Sequence, residues 1–153
     1  MKQANLIPGI KNIFLTVAAG IMIFSFSECT AQKEFLSSSI VPAARGTVSV
    51  KRDKFNNYII KLKITNLAEA TRLSPPKNTY VVWMVTDENL TRNLGQVRTS
   101  SSMFSKKLNL NFETKTVFRP VRIFITAEND AVVQFPNSET ILTTDDLNAP
   151  KRK

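Results

Sequence analysis

Histidine is absent from the 153 residues and cysteine occurs once, at Cys29. Without imidazole and with a single thiol, the usual zinc ligand sets cannot be assembled, nor can a Ser–His or Cys–His nucleophile pair or an internal disulfide. Only four glycines are present, and none stands in a Gly-x-Gly-x-x-Gly or P-loop arrangement. That disfavours the loops that cradle nucleotide phosphates. There is no internal repeat and no low-complexity tract. No cofactor is implied.

What is present is ordinary for a globular protein: 42% apolar and 22% charged residues. The length fits one domain rather than two. The formal charge is +9, from 21 Lys and Arg against 12 Asp and Glu. These charges are dispersed, which reads first as solubility and second as affinity for anionic surfaces. The densest basic group, Lys151-Arg152-Lys153, follows Pro150 and reads as a frayed tail.

The N-terminus has the pattern of an export leader. Lys2 and Lys11 precede an almost wholly apolar run from Ile13 to Phe26. Fourteen residues suit a signal-peptide core and fall short of the roughly 20 needed to span a bilayer as a helix. Cys29-Thr30-Ala31 offers small residues for a cut after Ala31. Lipidation of Cys29 is the alternative, but Glu28 stands where that route wants a small residue. The favoured reading is soluble export to a periplasm or extracellular space; a lipoprotein and an uncleaved anchor are the other two. Membrane contact is thus expected only through the leader or a lipid on Cys29.

Beyond residue 31 the chain divides into an irregular lead-in (32–45), a β domain (46–145) and a basic tail (146–153). Within the domain apolar residues recur with period two between turn signals. Thr47–Arg52 reads as a strand, followed by the turn Asp53–Asn57, whose asparagines tolerate left-handed backbone. Tyr58, Ile60, Leu62 and Ile64 then share one face, opposite Ile59, Lys61, Lys63 and Thr65. Further strands are expected at Tyr80–Val85, Asn93–Thr99 (with a bulge at Gly95), Leu108–Glu113, Val121–Ile125 and Thr140–Thr144. Seven strands with no helical period between them predict an all-β, antiparallel, immunoglobulin-like two-sheet sandwich.

The run Asn78-Thr79-Tyr80-Val81-Val82-Trp83, then Leu94-Gly95, Phe124-Ile125-Thr126-Ala127-Glu128, Pro136 and Ile141-Leu142 resembles the extracytoplasmic C-terminal domain of anti-sigma-K-type factors and its stand-alone bacterial relatives. The resemblance spans Tyr80–Leu142 and implies a β-sandwich outside the cytoplasm. It departs after Glu128, where Asn129-Asp130 replace a Pro- and Gly-rich turn. The sigma-binding helices have no counterpart, so control of a sigma factor is not implied.

Candidate chemistry is sparse. The acids Asp87-Glu88, Glu128 with Asp130, and Asp145-Asp146 fall at expected turns without EF-hand spacing. Glu128 stands apart because it ends an apolar strand; it is expected to accept hydrogen bonds from a neighbouring loop. Ser37–Ser39 and Ser100–Ser102 lack a nucleophile-elbow setting, leaving a Ser–Lys hydrolase as a remote reading. Asn89-Leu90-Thr91 matches a glycosylation triplet of little weight. Nucleic acid is not an expected partner, because the aromatics sit at core spacing and the chain reads as exported.

One face is unusual. Tyr80–Val85 is apolar on both sides, and Ile59 and Phe124 fall on the outward faces of their strands. If these strands are neighbours, Ile59, Val81, Trp83, Val85 and Phe124 would form an exposed apolar interaction patch, unless a long loop or the lead-in covers it. The expected function is therefore a non-enzymatic envelope protein that binds another envelope protein or an anionic envelope polymer, with a structural module lacking its own ligand as the alternative. Soluble export predicts that the intact mass of the released protein matches residues 32–153; added acyl mass on Cys29 would contradict it.

Overall fold

The computed structural model describes residues 32–97 and 108–149. Cys29 and the rest of the leader, Ser100–Ser102 and the Lys151–Lys153 group lie outside them. The described chain forms strands β1 (Gln32–Glu34), β2 (Arg45–Arg52), β3 (Tyr58–Leu67), β4 (Thr79–Thr86), β5 (Thr91–Val97), β6 (Leu108–Thr116), β7 (Pro120–Glu128) and β8 (Thr140–Thr143), with one 3-10 turn at Ala70–Arg72. Two four-stranded antiparallel sheets result, ordered β1-β2-β3-β6 and β5-β4-β7-β8. Setting β1 aside, the order is immunoglobulin-like: the chain changes sheets between β3 and β4, β5 and β6, and β6 and β7.

Period-two burial accounts for the architecture. On β3, Ile60, Leu62 and Ile64 are buried while Lys61, Lys63 and Thr65 face water. Leu108 and Leu110 on β6, and Ile123, Ile125 and Ala127 on β7, point to the same interior. They meet Val48, Tyr80, Val82, Met84, Val97 and Leu142 in one core. Tyr80 donates its hydroxyl proton to the Ala68 carbonyl at 2.9 Å, and burial pushes its pKa up to about 12.

The turns use the expected chemistry. Asp53 closes the β2–β3 hairpin: its Oδ1 accepts the backbone N–H groups of Phe55 (2.8 Å) and Asn57 (3.0 Å). Desolvation pushes this carboxyl up, but the Asn57 side chain, those two backbone donors and the Lys115 ammonium outweigh it and hold it below the usual carboxylate range. Asn56 and Asn89 adopt left-handed backbone, with φ of 66° and 60°. Gly95, at φ 131°, sits at a bulge where Val82 pairs with Gly95 but Trp83 pairs with Asn93.

The structure corrects the irregular lead-in. Gln32–Glu34 is an eighth strand, pairing with Thr47–Ser49. Phe35 continues it by donating its N–H to the Gly46 carbonyl (2.9 Å) and bridging to Thr144, so this segment closes one side of the sandwich between β2 and β8. A β-carbon on Gly46 would lie 2.9 Å from both Ile64 and Phe35 side chains, so only glycine lets Phe35 settle there. Val41 and Ala44 also enter the core. No sequence period announced β1 because it is a short edge strand held by backbone pairing. The alternation predicts that Leu62→Ala lowers unfolding free energy by about 2–5 kcal/mol, whereas Lys63→Ala changes it by less than about 0.5 kcal/mol; denaturant titration compares the two.

Candidate functional site

The outward face of the β5-β4-β7-β8 sheet holds the most unusual arrangement. Tyr80, Val82 and Met84 point into the core, which turns Thr79, Val81, Trp83 and Val85 outward. Nevertheless Val81 and Trp83 are 0% exposed. On the adjacent strand Phe124 pairs with Trp83, and the rings stack 14° from parallel with centroids 6.2 Å apart. The β7–β8 loop, residues 129–139, is tied to this same face on either side of β4, at Asn93 on β5 and at Glu128 on β7, which places it across the strand that carries Val81 and Trp83.

Hydrogen bonds pin this loop at two places. At one, Asn93 on β5 donates its amide to the carbonyls of Ala131 (3.1 Å) and Val133 (2.8 Å), while its own Oδ1 accepts the Gly95 N–H. At the other, Glu128 at the end of β7 is 2% exposed. Its Oε1 accepts the Asn137 N–H at 3.1 Å and its Oε2 accepts the Ser138 hydroxyl at 3.2 Å. A relay runs inward from the same carboxylate: the Thr126 hydroxyl donates to Oε1 at 2.6 Å and accepts the Trp83 indole N–H at 2.8 Å. The relay satisfies the buried indole, and a hydroxyl that donates and accepts at once polarises both bonds. Every hydrogen-bond partner of Glu128 among the described residues is an uncharged donor.

Between its anchors the loop turns two apolar side chains outward. Val132 is 82% exposed and Phe135 70%. The turn that presents Val132 is braced by Asp130, whose Oδ1 accepts the Val132 N–H at 3.0 Å. Exposed apolar side chains on a loop fixed to a rigid sheet are a familiar design for a contact surface.

The expected Trp83-centred patch is corrected. Ile59 lies on β3 in the other sheet, paired with Lys51 and Lys115, so it cannot join a face formed by β4 and β7. Trp83 and Val81 are sealed beneath the loop and cannot touch a partner; Val85 and Phe124 remain partly exposed. The hydrogen bonds expected at Glu128 from a neighbouring loop are present. Val132 and Phe135 were not singled out by sequence reasoning. Their signal was indirect: a strand apolar on both faces needs a cover, and the next long connection supplies it.

The other acids serve local turns or stay in water. Asp146 Oδ1 accepts the Asn148 N–H at 2.8 Å, and Asp87 and Glu88 are exposed. Ser38 Oγ accepts the Val41 N–H at 3.0 Å. Among the described residues no group of three or more His, Cys, Asp or Glu side chains converges to hold a metal ion. Comparison with known proteins finds no match to a protein-family model, a curated protein or a solved structure.

Removing the carboxylate would leave the buried Thr126 hydroxyl and the part-buried Asn137 and Ser138 donors without their acceptor. Glu128→Ala is expected to lower unfolding free energy by about 2–4 kcal/mol in a denaturant titration. A loss below about 0.5 kcal/mol would show that the relay does not hold the loop.

Proposed function

We propose that this chain is an exported, non-enzymatic binding module of the cell envelope, and that the 129–139 loop makes its contact with another envelope protein. The observation that carries the reading is the outward placement of Val132 and Phe135 on a segment tied down by Asn93 and Glu128. Holding two large apolar side chains in water disfavours the isolated protein, and burying them against a partner would recover that cost. A purely structural module would have no use for such residues. The leader and the resemblance to extracytoplasmic sandwich domains support the compartment. The apolar character of the loop favours a protein partner over an anionic polymer, which would call on the dispersed lysines and arginines instead.

The experiment is capture from an envelope fraction, comparing the native chain with a Val132→Ser/Phe135→Ser variant. Trp83→Ala is unsuitable because it empties a buried site. The variant should retain the native melting temperature and lose roughly tenfold or more of the captured partner. Undiminished capture by a folded variant would exclude the loop as the contact.

A further inference from the structure

A second surface, at the end of the sandwich and argued from different residues than the reading above, combines apolar tips with positive charge; only Gln134 of the 129–139 loop borders it, beside Thr116 and Phe118. Three turns meet at one end of the sandwich: 53–57 between β2 and β3, 87–90 between β4 and β5, and 117–119 between β6 and β7. They are tied together. Tyr58 pairs with Thr116, the Lys115 ammonium lies 3.9 Å from Asp53 Oδ2, and the Asp87 N–H donates to the Arg119 carbonyl at 3.2 Å. Each turn holds an apolar side chain in water: Phe55 at 72% exposure, Val117 at 70% and Leu90 at 46%.

The charge around the first and third turns is one-sided. On these two turns and the strand ends beside them, Arg52, Lys54, Lys115 and Arg119 stand against Asp53, which already accepts three hydrogen bonds. Asp146 approaches Arg119 through Asn148, which accepts from the guanidinium at 3.2 Å. The Lys54 ammonium lies 5.0 Å from the Phe55 ring centre, and the Arg52 guanidinium 4.8 Å from that of Tyr58. Arg52, Lys54 and Arg119 form no ion pair with an acid among the described residues. Of the other acids at this end, Asp87 and Glu88 lie on the β4–β5 turn and Asp145 and Asp146 on the segment after β8, so the basic side chains gather on the other two turns, most densely around Phe55.

We propose that this end of the sandwich rests on an anionic lipid bilayer, with Phe55 and Val117 entering the interface and the flanking lysines and arginines at the level of the lipid phosphates. Separate apolar tips, each with cations at its base, match the depth profile of a headgroup region, where apolar groups go deeper than ammonium and guanidinium groups. The path of the chain points the same way. Gln32 pairs with Ser49 and β1 runs antiparallel to β2, so residues preceding Gln32 enter the sheet from this end. Cys29 is only three residues earlier, a reach of roughly 10 Å. An anchor at Cys29 would therefore be tethered within that reach of this end.

The test is amide hydrogen exchange of the full chain on vesicles of phosphatidylcholine alone and of phosphatidylcholine with phosphatidylglycerol. Lys2, Lys11 and the Lys151–Lys153 group also respond to anionic lipid, so the sandwich end is isolated by a charge-reversal variant that leaves them unchanged. Segments 53–57 and 117–119 should exchange about fivefold or more slowly on the anionic vesicles, and a Lys54→Glu/Arg119→Glu variant should lose that protection. Asn137 and Ser138, tied to Glu128 at the opposite end of β7, should exchange equally on both, which separates this result from the loop's protein contact. Equal exchange of the two turns on both compositions would overturn the proposal, as would protection that survives charge reversal. Protection that requires an envelope protein extract in place of lipid would also overturn it.

Discussion

A two-sheet sandwich has four faces, and the two inner ones supply its core. Here the outer face of β4 is also apolar, so a third surface must be taken out of water. The 129–139 loop does this, and the burial of Trp83 depends on the loop staying in place. A buried tryptophan of this kind contributes on the order of 3–5 kcal/mol, a large share of the stability of a small domain. The hydrogen bonds of Glu128 connect the two requirements, since one carboxylate both fixes the loop backbone and completes the relay that satisfies the indole.

The same arrangement links packing to the proposed binding role. A loop that served only as a lid could have turned all its apolar residues down onto the sheet. This one leaves Ala131 and Val133 half-buried and holds Val132 and Phe135 out. Alternation places Val132 out between Ala131 and Val133, and Phe135 lies in the run from Gln134 to Asn137 that is exposed throughout. The anchor at Glu128 also means that the buried relay determines the geometry of the exposed residues. The opposite kind of surface, apolar tips with cations at their bases, arises at the end where three turns converge, with no cost to the core.

Much of the fold was legible in the residues. The alternation of Ile60, Leu62 and Ile64 with lysines could only be a half-buried strand, and the turns at Asp53–Asn57 and Asp87–Asn89 stand where their side chains require. Gly95 marked its bulge. β1 was illegible because Gln32–Glu34 has no apolar alternation and is held by backbone pairing with β2 and by the Lys33 ammonium donating to the Ala149 carbonyl. The candidate face was half legible: period two showed that Trp83 and Phe124 point outward, and they do. It could not show that β3 and β4 belong to different sheets, which removes Ile59, nor that a loop of turn-forming residues would fold back over the indole. Both depend on long-range topology, on which local patterning is silent.

Trp83 is the only tryptophan, so its fluorescence reports the sealed face without interference. Collisional quenching by acrylamide in the native monomer is the most direct measurement. A loop pinned by Glu128 predicts emission that is almost insensitive to quencher until the protein unfolds. Quenching of the native monomer as efficient as that of a free indole would contradict it, because the outer face of β4 would then be open to water.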